Sequence, residues 1–197
     1  MIQKIVAHEH IQGIKLKSII FTLTVAIIIS ALIFICSFHY SPSTFFIISL
    51  VLIVMGMNLC VYFIKRTGIA TLFYVFTAAL TFWIDDFGVL GWKKLLVFFF
   101  AGIIFEIIYL IFKIKFHNVP LDIIVGTSLS AASIPFLTAF ILSERIASSF
   151  PIELLNFILL SFAIGLIAST VTFLFWHHLE HTKPILKLES YLISLDL

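Results

Sequence analysis

Residues 95–112 read LLVFFFAGIIFEIIYLIF, a run of eighteen positions with one charge, Glu106. As a helix such a run rises about 27 Å, close to the roughly 30 Å of hydrocarbon in a bilayer. Its apolar character is continuous rather than alternating, which fits a helix and not a barrel strand. Five similar runs flank it, at 18–38, 44–64, 67–84, 119–142 and 151–176. The six hold 128 of the 197 residues but only three of the 22 charged ones, Glu106, Asp122 and Glu153. Composition agrees: 62% of residues are hydrophobic and 11% charged, against about half and about a quarter in a soluble domain. The expected fold is an all-α membrane protein. Six transmembrane helices form one bundle over residues 18–176, between an N-terminal segment, 1–17, and a C-terminal tail, 177–197.

Lysine and arginine set the expected orientation. Lys4, Lys15, Lys17, Lys65, Arg66, Lys113, Lys115, Lys183 and Lys187 fall on one side of the six runs. Lys93, Lys94 and Arg145 fall on the other, with Asp85, Asp86, Glu144 and Glu153. Nine against three predicts cytoplasmic N and C termini in the cell membrane. The first run has a longer apolar core than a cleaved signal and lacks a small-residue cleavage site, so it is expected to remain as a helix.

Twelve basic residues against ten acidic ones give no field for nucleic acid. The chain has no phosphate-binding Gly-x4-Gly-Lys-Ser/Thr loop, no Gly-x-Ser-x-Gly elbow and no His-Glu-x-x-His pair. No catalytic residue, metal or cofactor is expected. His177 and His181 share a helix face, but they follow the last run beside Lys183 and Lys187, as a solvated cluster would. Cys36 and Cys60 fall at opposite ends of the first two runs and read as packing thiols.

Glu106 is the most informative residue. Counted from Leu95 it lies about 16 Å deep, and an intramembrane acid is a functional-site hypothesis by default. Gly102, Glu106 and Tyr109 share one helix face. Glu106 fits a carboxylate that recognises a cationic or amine-bearing solute. It also fits a protonated side chain bonded to a hydroxyl such as Thr77, Thr81 or Ser130, tying helices together. A second cluster is Trp83, Asp85, Asp86, Phe87, Gly88, Gly91 and Trp92, where aromatic rings and acids suit the mouth of a site for a flat cationic ring. Trp83 and Trp92 equally fit an interfacial belt, and Asp86 a turn cap.

Asp122 and Glu153 follow helix-start signals and are read as structural. Asn58 and Asn156 read as helix glue, and Pro135 predicts a kink. Thr22, Ala26 and Ser30 recur every fourth residue, a small-residue stripe that packs within the chain or against another membrane protein.

From about 45 to 175 the chain resembles the substrate-binding (S) components of energy-coupling factor transporters, nearest the thiamine or hydroxymethylpyrimidine branch. Four features carry the likeness in order and spacing. They are Tyr62-Phe63-Ile64-Lys65-Arg66-Thr67-Gly68-Ile69-Ala70, Ala78-Ala79-Leu80, Asp85-Asp86-Phe87-Gly88, and Gly102 to Tyr109 as Gly-x3-Glu-x2-aromatic. Thr67 stands where related sequences often have proline, and Tyr74 where the thiamine branch has an acid. The resemblance implies a substrate-binding subunit of an ATP-driven vitamin importer, with a thiamine-like ligand. It implies substrate contacts at Glu106, Tyr109, Gly102, Tyr74, Trp83, Trp92 and Asp86. It further implies docking through Thr22, Ala26 and Ser30 to a transmembrane coupling (T) subunit that works with two cytoplasmic ATPase subunits. The alternative is an accessory or scaffold subunit of another membrane complex, such as a polytopic oxidase, with Glu106 as glue.

Overall fold

The structure is a computed structural model describing residues 16–111, 115–116, 119–142, 151–179 and 182. Each apolar run forms a helix: α1 Leu16–Ser37, α2 Pro42–Ile64, α3 Ile69–Leu80, α4 Trp92–Ile111, α5 Leu121–Leu142 and α6 Pro151–Leu179. All except α3 are long and apolar enough to cross a membrane, which marks a membrane protein. Between α4 and α5, Lys115–Phe116 pairs antiparallel with Val119–Pro120. Of the charged and histidine residues assigned to the tails and loops, Lys4, Lys15, Lys113, Glu144, Arg145, His181, Lys183 and Lys187 lie outside the described residues.

The third run departs from expectation. A span was predicted over 67–84, but α3 has twelve residues and rises about 18 Å, well short of a bilayer. Hydropathy misses the stop because Phe82, Trp83 and Ile84 are as apolar as the helix before them. What ends α3 is a loop over 81–91. The Ile84 amide bonds to the Thr81 carbonyl at 2.9 Å and the Gly91 amide to the Phe82 carbonyl at 3.0 Å. Gly88 and Gly91, at φ 74° and 66°, supply left-handed turns that side chains resist.

Helices alternate in direction along the chain. At one end of the bundle lies the α2–α3 turn, residues 65–68, here the Arg66 end. At the other lies the 81–91 loop, the Asp86 end. Aromatic contacts fix α2 parallel to α6: Phe46 meets Phe157 at 5.7 Å near their starts, and Tyr62 stacks on Trp176 at 6.0 Å near their ends. The short α3 packs against α1, α2 and α4, with Ile69, Ala70, Phe73, Tyr74, Thr77 and Ala78 fully buried.

The small-residue stripe on α1 points inward. Thr22, Ala26 and Ser30 are buried in the fold, where α1 packs on α2 and α3, while Leu16, Ile20, Ile27, Phe34 and Ile35 face outward. The expected docking role of the stripe is therefore corrected: its small side chains let the chain's own helices approach. Asn58 behaves as the predicted glue, its Oδ1 accepting from Thr127 Oγ1 of α5 at 2.7 Å. Cys36 and Cys60 are free thiols.

Candidate functional site

The residues expected to form one site divide between the two ends of the bundle. Helix α4 begins at Trp92, so Glu106 lies about 21 Å along it and only about 8 Å from its Ile111 end. Glu106 Oε1 accepts a hydrogen bond from the Ala70 amide at 3.0 Å. Ala70 is in the first turn of α3, whose N-cap is Gly68 at φ 89°, a residue with no side chain to cap with. Glu106 thus supplies, from the neighbouring helix, the acceptor that a Ser or Asp would supply locally. Its partner is a backbone amide, not the hydroxyls of Thr77, Thr81 or Ser130. Gly102, one turn earlier, permits the approach: a Cβ there would fall 2.7 Å from the Thr71 Cα.

Lys94 does the converse at the other end of α3. It is fully buried, and its Nζ donates to the carbonyl oxygens of Thr81 and Ile84, each at 3.0 Å. It also lies 2.5 Å from Asp86 Oδ1. Two carbonyl oxygens and the paired carboxylate thus surround the buried ammonium. Burial pushes the Asp86 carboxyl up to about 6, and the adjacent Lys94 ammonium acts against that rise.

Tyr74 is enclosed among helices rather than beside a cavity. Its hydroxyl lies 3.0 Å from Ser130 Oγ, which is 2.8 Å from the Ala101 carbonyl oxygen. The carbonyl only accepts, so the Ser130 proton goes to it and Tyr74 donates to Ser130. One serine thereby joins α3, α4 and α5. Tyr109 is buried near Glu106, its ring stacked on Phe105 at 5.8 Å.

A cleft of about 380 Å³ opens at the Asp86 end. Its walls come from the start of α2 (Pro42, Phe46), the 85–88 loop, the α5 stretch at Pro135 and Thr138, and the start of α6 (Leu154, Phe157). Phe46 meets Phe87 edge-on at 5.3 Å and Phe157 at 5.7 Å, so three elements contribute rings. The volume suits a small organic molecule. Of the expected contacts only Asp86 lines this cleft, together with its neighbours Asp85, Phe87 and Gly88. Trp83 and Trp92, 87% and 76% exposed, instead flank Phe82 on the outside, as belt residues do. Glu106, Gly102 and Tyr109 belong to the far end, and Tyr74 to the helix core.

Sequence reasoning missed Lys94, which it placed among loop charges, and the cleft walls from α2, α5 and α6. Lys94 follows a tryptophan and another lysine, as any interfacial lysine does, so its burial left no mark. Pro135 was noted as a kink; its place in the wall follows only from packing. Comparison with protein-family models, curated proteins and solved structures finds no match for this chain.

Proposed function

We propose that the chain is the integral-membrane substrate-binding subunit of an ATP-driven importer of the energy-coupling factor type. It takes a small vitamin or vitamin precursor into the cleft beside Asp85–Gly88, with the Asp86 end outward and both termini cytoplasmic. α3 serves as the third of six membrane segments, with its loop at the outer end. The observation that carries the reading is the cleft itself: a ring-lined chamber at one end of a helical membrane protein, bordered by one of the segments on which the family resemblance rests. A transmembrane coupling subunit and two cytoplasmic ATPase subunits would supply the energy, since the chain carries no nucleotide loop.

Purification from its native membrane tests this. The expected result is co-purification with ATPase and coupling subunits, and release of a small heterocyclic compound detectable by mass spectrometry. Recovery with redox subunits and no released compound would instead support a scaffold in another membrane complex. One observation favours that second reading: Glu106 Oε1 and Lys94 Nζ both have partners within the chain, the Ala70 amide and the Thr81 and Ile84 carbonyls.

A further inference from the structure

The 81–91 loop is tied through its backbone only near its two ends. The Ile84 amide bonds to the Thr81 carbonyl, and the Gly91 amide to the Phe82 carbonyl. Between them, residues 85–90 make no backbone–backbone hydrogen bond among the described residues. Two apolar side chains hold this stretch down. Phe87 is in ring contact with Phe46 and Phe98, and Val89 is 2% exposed. Among the described residues its polar tie to the helices is the enclosed ion pair of Asp86 with Lys94 of α4. The same stretch, from Asp85 to Gly88, walls the cleft.

An enclosed ion pair is a poor latch. Both charges give up their water, and the contact between them returns only part of that cost. A proton on Asp86 removes the carboxylate's share, while Lys94 keeps the Thr81 and Ile84 carbonyls. The charges facing Asp86 are Lys94 across the contact and Asp85 beside it, whose like charge adds to the cost. Lys93, next on α4, is exposed, and the wall residues of α2, α5 and α6 bring no titratable side chain. We propose that residues 85–90 form a proton-operated strap over the cleft, closed when Asp86 is protonated and released to water when Asp86 is charged. Closure takes up a proton, in keeping with an enclosed carboxyl held at about 6 against an ordinary 3.8. Acid shuts the strap and neutral pH loosens it. Its use rests on the solute-binding reading above: a solute exchanges at neutral pH and is retained in acid.

Thiol labelling of the full-length chain in lipid nanodiscs tests the strap without any solute. Val89→Cys, close in volume, puts a thiol beneath it, and Leu90→Cys, at an exposed neighbour, is the reference. Both are made in a Cys36→Ser chain, whose buried Cys60 gives the background. The reagent is 4,4′-dithiodipyridine, which reacts in acid as well as at neutral pH. Dividing the Val89→Cys rate by the Leu90→Cys rate removes the thiol's own pH dependence. From about pH 4.5 to about pH 7.5 this ratio should rise at least about tenfold, and with Asp86→Asn it should stay at its acid value throughout. If Val89→Cys does not fold, Phe87→Cys, also beneath the strap, takes its place. A flat ratio, a falling one, or a rise that survives Asp86→Asn overturns the strap. Any of these leaves the solute-binding reading standing, since no solute takes part.

Discussion

Lys94 and Glu106, twelve residues apart on α4, hold the two ends of α3. The interval rises about 18 Å, and so does the twelve-residue α3 lying antiparallel to it. The signs match the helix dipole: the carboxylate meets the N-terminal amides and the ammonium lies by the C-terminal carbonyls. A short helix in an apolar surrounding has no water for its end groups, so it needs such partners more than a soluble helix does. The length of α3 and the spacing of two charges on α4 are therefore one feature. It also places the 81–91 loop, and with it one wall of the cleft.

Glu106→Leu should destabilise the chain by about 1–3 kcal/mol, because the Ala70 amide is left without its acceptor. Glu106→Gln keeps a carbonyl oxygen at the same reach and should cost less. Thermal unfolding in detergent measures both. Binding at the cleft, at the opposite end of α3, should change little in Glu106→Gln. Lost ligand affinity with unaltered thermal stability would show a binding role instead.

The Asp86 carboxyl gives a pH dependence of definite sign. Its folded value, about 6, lies above the ordinary 3.8, so between these values the folded chain holds a proton that the unfolded chain releases. Folding takes up protons in that window, and the contribution of Asp86 to stability rises as pH falls through it. Comparing the natural chain with Asp86→Asn isolates the effect: their difference in Tm should move in favour of the natural chain from about pH 6 down to about pH 4. A difference that is flat, or that moves the other way, would contradict the assignment.

The positions of all six helices were legible because lipid-facing sequence must be apolar over whole segments, and charge then collects outside them. The ends were less so. Phe82, Trp83 and Ile84 look like helix to any hydropathy scale, yet the Lys94 side chain and two glycines turn the chain there. The Asp85-Asp86-Phe87-Gly88 stretch was legible as a break because acids and a glycine interrupt an apolar region; that it lines a cleft follows only from packing. Glu106 was legible as unusual and not as a cap, since its partner is a backbone amide thirty-six residues earlier. Side-chain chemistry carries no record of an amide's need, and Gly68, the residue that creates it, reads only as a turn.

Ala26→Leu separates packing within the chain from docking to a partner. Ala26 is fully buried where α1 meets the bundle, so a larger side chain overpacks the isolated protein by about 1–3 kcal/mol. Its Tm should fall without any partner present. An outward residue of the same helix, Ile27→Ala, should leave the Tm nearly unchanged. If Ala26→Leu keeps the natural Tm and loses only its association with other subunits, the stripe is a docking surface.

Gly102→Ala tests the close crossing that lets α4 hold α3. The added Cβ would sit 2.7 Å from the Thr71 Cα, and that atom is backbone, so no rotamer change relieves the contact. Either α3 shifts outward or α4 bends. Both movements lengthen the Ala70–Glu106 hydrogen bond, so the loss should combine overpacking with a weakened cap, about 2–4 kcal/mol together. The two effects are coupled through one displacement. In a double-mutant cycle, Gly102→Ala should therefore cost clearly less in a Glu106→Leu background, where the cap is already gone, than in the natural chain. Strict additivity would mean that the glycine and the acid act independently.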